Sequence, residues 1–104
     1  MGFGNMQQMM KQAQKMQREM QRVQEELKER EVEGTAGGGA AKVSMTCGFR
    51  VRQVEIRPDA IDPSDPEFLG ELVRQAMQDA IDHVQEVTQA EMAKVTGGMR
   101  LPGM

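Results

Sequence analysis

The sequence predicts an α+β fold for this 104-residue chain: a long N-terminal helix, a three-stranded antiparallel meander and a long C-terminal helix. Three observations lead there. Apolar residues recur at heptad spacing through the first segment, β-branched residues partly alternate between glycine-rich breaks in the middle, and Asp65-Pro66 opens a second periodic segment.

The first helix is expected over residues 5–30. Met6, Met9, Ala13, Met16, Met20, Val23 and Leu27 follow a 3-4-3-4-3-4 spacing, which makes a narrow seam of the a/d type. Neither Gly nor Pro interrupts residues 5 to 33, and Ala, Met, Gln, Glu, Lys and Arg dominate, all strong helix formers. From Val32 the composition changes to "VEGTAGGGAAKVSMTCGFRVRQVEIRP". Strands are expected near 31–36, 40–47 and 50–57, with Gly37 to Gly39 turning the first hairpin and Cys47-Gly48-Phe49 the second. Pro58 and "DPSDP" end the sheet. The last helix is expected over 66–96, with Asp65 as N-cap, proline at the first helical position, and Glu67 and Glu71 near the positive end of the helix dipole. Its apolar stripe is wider than that of the first helix, as a helix lying on a sheet requires. Gly97-Gly98 stops it, and residues 97–104 are expected to form a flexible tail. The whole of 1–104 is read as one domain.

Composition narrows the function classes. There are 11 Met, 3 Phe and no Trp or Tyr, so few aromatic faces exist on which single-stranded bases would stack. Cys47 is the only cysteine and forms no internal disulfide, no stretch approaches the roughly 20 apolar residues of a membrane span, and the glutamine-rich N-terminus lacks a secretory signal's apolar run. A reducing cytoplasm is the expected location.

Length carries an expectation about assembly. A helix of about 26 residues is roughly 40 Å long, whereas a compact domain of about 100 residues has a radius of gyration of about 13 Å. The first helix must overhang. A seam that includes Met9, Met16, Met20, Val23 and Leu27 then needs cover from a second chain or from the last helix folding back, and the expectation is a homodimer.

At about 100° per residue, Lys11, Lys15, Arg18 and Arg22 fall within roughly 60° of one another, nearly opposite that seam. Glu25 and Glu29 continue the stripe with the opposite sign. From Met1 to Gln24 four basic residues face Glu19 alone, a balance of +3; from Pro58 to Met92 nine acids face Arg74 alone, a balance of −8. The net charge of −3 conceals this polarity. Screening beyond about 8 Å at physiological salt means that a phosphate backbone responds to the local stripe more than to the distant acid. The plainer reading is a solvated helix face, helped by i,i+4 pairs such as Lys15 with Glu19. Both readings stand at this level. Gln7, Gln8, Gln12, Gln14, Gln17, Gln21 and Gln24 add amide groups able to bond phosphate or base edges.

Other motifs point away from chemistry. "GTAGGG" lacks the Lys-Ser/Thr of a phosphate-binding P-loop and the strand-loop-helix setting of a dinucleotide site, so a glycine hairpin is the reading. Cys47 has no second cysteine, and His83, the only histidine, lies on a distant helix; neither a Cys-His nucleophile nor a zinc site is supported. Cys47 is expected to pack on a strand face and His83 to lie on the helix surface or at a dimer contact. No catalytic residue, metal site, cofactor or small-molecule substrate is assigned.

Several blocks together resemble the YbaB/EbfC family of bacterial nucleoid-associated proteins: the opening "NMQQMMKQAQKMQREMQRVQEEL", the hairpin "VEGTAGGGAAKVSMT", "VEI" in the third strand, "DPEFLGELVRQAMQDAI" and the ending "KVTGGMRLPGM". The resemblance covers nearly the whole chain. It implies an α-β-β-β-α protomer that forms an intertwined homodimer whose long helices project as arms, and a protein that binds double-stranded DNA in chromosome organisation and, in some members, gene regulation. The suspected arm surface maps here onto Lys11, Lys15, Arg18 and Arg22. This chain departs from the family in its second hairpin, where "CGFRVRQVEIR" carries Arg50, Arg52 and Arg57 in place of small or acidic residues. Arg50 and Arg52, taken as adjacent on one strand face, would add phosphate contacts or pair with acids of the last helix. A non-enzymatic homodimer on nucleoid DNA is therefore expected; the competing expectation is a scaffold dimer that engages a protein through its methionine seam or acidic helix.

Overall fold

The computed structural model describes residues 3–97, in the order helix α1 (Phe3–Glu29), strands β1 (Glu31–Ala36), β2 (Ala41–Thr46) and β3 (Val51–Ile56), a 3₁₀ turn at Pro58–Ala60, and helix α2 (Pro66–Gly97). The predicted α+β order is thus observed. Of the expected tail at 97–104, Gly97 closes α2 and the remainder lies outside the described residues.

α1 ends without a glycine cap. The Arg30 amide donates to the Glu26 and Leu27 carbonyls at 3.1 and 3.3 Å, closing the last turn, and the chain enters β1 at once. Helix and sheet are tied where the Cys47 amide donates to the Arg30 carbonyl at 2.8 Å.

The sheet has order β1-β2-β3 and is antiparallel throughout. Gly37, Gly38 and Gly39 turn the first hairpin with φ of 62°, 67° and 93°, a run of left-handed conformations that residues with a β-carbon rarely adopt. The second turn is organised by Thr46, which is fully buried: its Oγ1 accepts from the Gly48 and Arg50 amides, each at 3.2 Å, and its carbonyl accepts from the Phe49 amide at 3.0 Å. Pairing then slips by one. Met45 faces Val51 while Ser44 faces Gln53, which leaves Arg52 as the extra residue of a β-bulge.

α2 starts where the sequence places it, with Asp65 Oδ1 accepting the Phe68 amide at 3.2 Å. It lies across β1 and β2. Ala76 and Ala80 are fully buried there, and a β-carbon on Gly34 would overlap the Ala80 amide nitrogen and the Ala76 carbonyl oxygen. Small residues on both sides let the two backbones approach. Ala41, Val43, Met45 and Val84 complete this layer, and Val23 and Leu27 of α1 extend the same buried cluster.

β3 lies beyond the cover of α2. The register puts Val54 on the same face as Val43, yet Val43 is fully buried and Val54 is 45% exposed. The helical arms set the shape: extents are 75 × 26 × 16 Å and the radius of gyration is 20.6 Å, well above the roughly 13 Å of a compact chain of this length.

Candidate nucleic-acid interface

The N-terminal part of α1 projects beyond the core. Met6, Met9 and Met10 are 63%, 68% and 60% exposed, Met16 and Met20 are half-buried against the core, and Val23 and Leu27 are buried. The seam therefore changes role along the helix, from packing surface near the sheet to bare apolar stripe at the tip.

On the other side of α1, Lys11, Lys15, Arg18 and Arg22 are all exposed. Among the described residues no side-chain hydrogen bond or ion pair engages Lys11, Lys15 or Arg18, and Lys15 does not pair with Glu19. Arg22 bonds Glu26 at 2.9 Å, an exposed pair worth at most a few tenths of a kcal/mol. From Lys11 to Arg22 the stripe runs about 17 Å along the axis, roughly five steps of a duplex at 3.4 Å each. Arg18 shares a shallow surface hollow with Gln14, Gln17 and Gln21.

The strand arginines differ from the sequence expectation. Arg50 sits in the turn, its amide and carbonyl both bound to Thr46, and Arg52 occupies the bulge, so they are not successive positions of one regular strand face. The bulge breaks the alternation on which that expectation rested. Nor does Arg52 pair with α2: its Nη2 donates to Glu29 of α1 at 3.1 Å. Glu29 is eighteen residues past Lys11, about five full turns, and thus lies on the same stripe. Glu29 thus holds Arg52 against the far end of the same helix face, a pairing that sequence reasoning missed because the phase of Glu29 on α1 says nothing of which strand residue meets it.

Other charges settle at the base of the arm. Glu91 of α2 accepts from Arg30 at 3.0 Å and Lys94 at 3.1 Å, and the Lys94 hydrogen bond is the main cause that holds its carboxyl below the usual range. The acids of α2 that face solvent include Glu67, Asp82 and Glu86, while Glu71 is occupied by Arg74.

Cys47 is buried just past β2, and burial pushes its thiol upward against the opposing pull of Arg30 and a Thr88 hydrogen bond; a raised thiol is a poor nucleophile. His83 is not simply a surface residue. Its Nδ1 lies 2.6 Å from the Glu33 carbonyl oxygen, because α2 crosses β1 closely enough for the ring to reach the strand. Among the described residues no group of three or more His, Cys, Asp or Glu is placed to hold a metal, and no helix is long and apolar enough to cross a membrane.

Comparison with known proteins gives the family and the fold. The sequence pattern of the YbaB/EbfC DNA-binding family matches residues 1–99. A nucleoid-associated protein of Staphylococcus epidermidis is 56% identical over 103 residues, covering 99% of this chain and 98% of that protein. One from Moorella thermoacetica is 50% identical, covering 99% of each. Among solved structures, the crystal structure of an uncharacterized protein from Helicobacter pylori aligns with a TM-score of 0.65 at 20% identity, over 86% of this chain and 91% of that one, a likeness of fold.

Proposed function

Because the chain belongs to the YbaB/EbfC DNA-binding family, we propose that it binds double-stranded DNA as a homodimer in the bacterial nucleoid, mainly through phosphates, in chromosome organisation and in gene regulation. The observation that carries this reading is the exposed stripe of Lys11, Lys15, Arg18 and Arg22, three of them without a protein partner among the described residues; Arg52 is held by Glu29 farther along the same helix. Arg50, also exposed and without an ion pair there, is assigned to the same surface. Unpaired cations on a projecting arm release condensed counterions when they meet a duplex, which favours association whatever the base sequence.

Support for a dimer comes from what one chain leaves uncovered. Val51 and Val54 of β3 are 46% and 45% exposed on the face that β1 and β2 bury, and Met9 is bare at the tip of α1. A second copy on these surfaces would present two arms to one duplex. Chromosomal DNA places the protein in the cytoplasm.

The test is a fluorescence-anisotropy titration of a labelled duplex over a salt series, comparing the native protein with a variant in which Lys11, Lys15, Arg18 and Arg22 are replaced by Gln. The expected result is weaker binding and a flatter salt dependence, by about 0.9 in log-log slope for each lost phosphate contact. Equal affinity and slope in a variant of unchanged helicity would remove the arm from the interface. The exposed Met6, Met9 and Met10 favour a second reading, in which the arm docks an amphipathic protein helix; failure of the native protein to bind duplex near physiological salt would bring that reading forward.

A further inference from the structure

The two edges of the sheet are treated differently. Glu33 and Thr35 have the same parity in β1, so the groups they turn away from β2 are the ones an added strand would bind. One group of each already has a partner on α2. The Thr35 amide donates to Asp79 Oδ2 at 2.9 Å, and the His83 ring nitrogen donates to the Glu33 carbonyl at 2.6 Å. Asp79 and His83 are one helical turn apart, with His83 Nε2 3.7 Å from Asp79 Oδ1, so a carboxylate and an imidazole stand side by side where a strand's carbonyl and amide would stand. Along β3, by contrast, no side chain among the described residues caps a backbone group, and Val51 to Glu55 are exposed.

We propose that Asp79 and His83 form a strand-edge cap that bars the β3 edge of a second copy from adding to β1. The consequence is one of symmetry. A sheet with two open edges can join head to tail, β3 of one copy on β1 of the next, and such a heterologous contact need not close. Once β1 is capped, β3 can meet only another β3, an isologous contact that stops at two chains. The proximity of α2 and β1 at Gly34 makes the cap possible, since it brings the helix near enough for both side chains to reach the strand edge. This inference rests on the proposed homodimer and does not depend on DNA being the ligand.

Two experiments test it. In the native protein, hydrogen exchange at the Thr35 amide is expected to be at least ten-fold slower than at the Glu33 amide, which shares the same edge but has no partner among the described residues; equal rates overturn the cap without any variant having to fold. In the second, light scattering coupled to size exclusion follows mass against concentration for Asp79→Ala with His83→Ala. Growth beyond the native mass at unchanged helicity is expected, and adding Thr35→Pro, which removes the outward amide at an edge position that tolerates proline, restores the native mass. A double variant that keeps the native mass at every concentration, or growth that Thr35→Pro does not reverse, overturns the proposal.

Discussion

Replacing Gly34 by alanine tests the close crossing of α2 over β1. In an unobstructed strand that change stabilises by about 0.5–1 kcal/mol, because alanine loses less backbone freedom on folding. Here the new β-carbon would overlap the Ala80 amide nitrogen and the Ala76 carbonyl oxygen and lie 2.7 Å from the Ala80 Cα. These are backbone atoms, so no rotamer change relieves the overlap. Ordinary contact begins at 3.4 Å, and α2 must therefore retreat by about 1 Å at the crossing. A gap of that size forfeits a quarter to a half of the dispersion contacts of the buried Ala76 and Ala80, and it stretches the bonds from Asp79 and His83 to β1. Overpacking of this kind costs about 1–3 kcal/mol, and two weakened hydrogen bonds add about 1 kcal/mol. Offset by the backbone gain, the net loss is about 1–3.5 kcal/mol. With a urea m-value of about 2 kcal/mol/M, the unfolding midpoint followed by circular dichroism at fixed protein concentration should fall by about 0.5–1.7 M. A midpoint equal to or above the native one would refute the close crossing.

Leu27→Ala, at a position only 6% exposed, should cost about 2–5 kcal/mol in the same assay, because α1 is anchored there. Thr46→Val keeps the shape but leaves the Gly48 and Arg50 amides without their acceptor, and a loss of about 1–3 kcal/mol is expected. His83 is held above its ordinary pKa, chiefly by the bond to the Glu33 carbonyl, with Asp79, Glu86 and Asp82 of α2 adding negative charge. Its contribution to stability is therefore complete below the unfolded value of about 6.5 and is lost as pH rises through the folded value. The urea midpoint of the native protein should fall across that window relative to His83→Gln; parallel curves would show that the imidazole does not carry the effect.

Local rules made the elements readable. The unbroken run of helix formers, the three consecutive glycines and the Asp65-Pro66 start act within a few residues of themselves, and the observed α1, β1–β2 turn and α2 start follow them to within two residues. The phase of the basic stripe was equally legible, since helical periodicity alone sets Lys11, Lys15, Arg18 and Arg22 opposite the seam. Arg52 was not legible in the same way: a bulge opposite Met45 re-aims it, and bulges depend on how two strands meet.

What the sequence by itself determined is which segments are helix or strand and which side of α1 carries charge, because both depend on backbone sterics and on a fixed angular period. Only the tertiary structure decided where the methionine seam becomes buried, that Gly34 serves a helix crossing, that His83 and Asp79 reach the β1 edge, and that Glu29 joins Arg52 to the arm. Those features arise from contacts between residues far apart in the chain, with separations of 44 for Thr35–Asp79 and 50 for Glu33–His83, and no local periodicity encodes which of many exposed polar groups will meet.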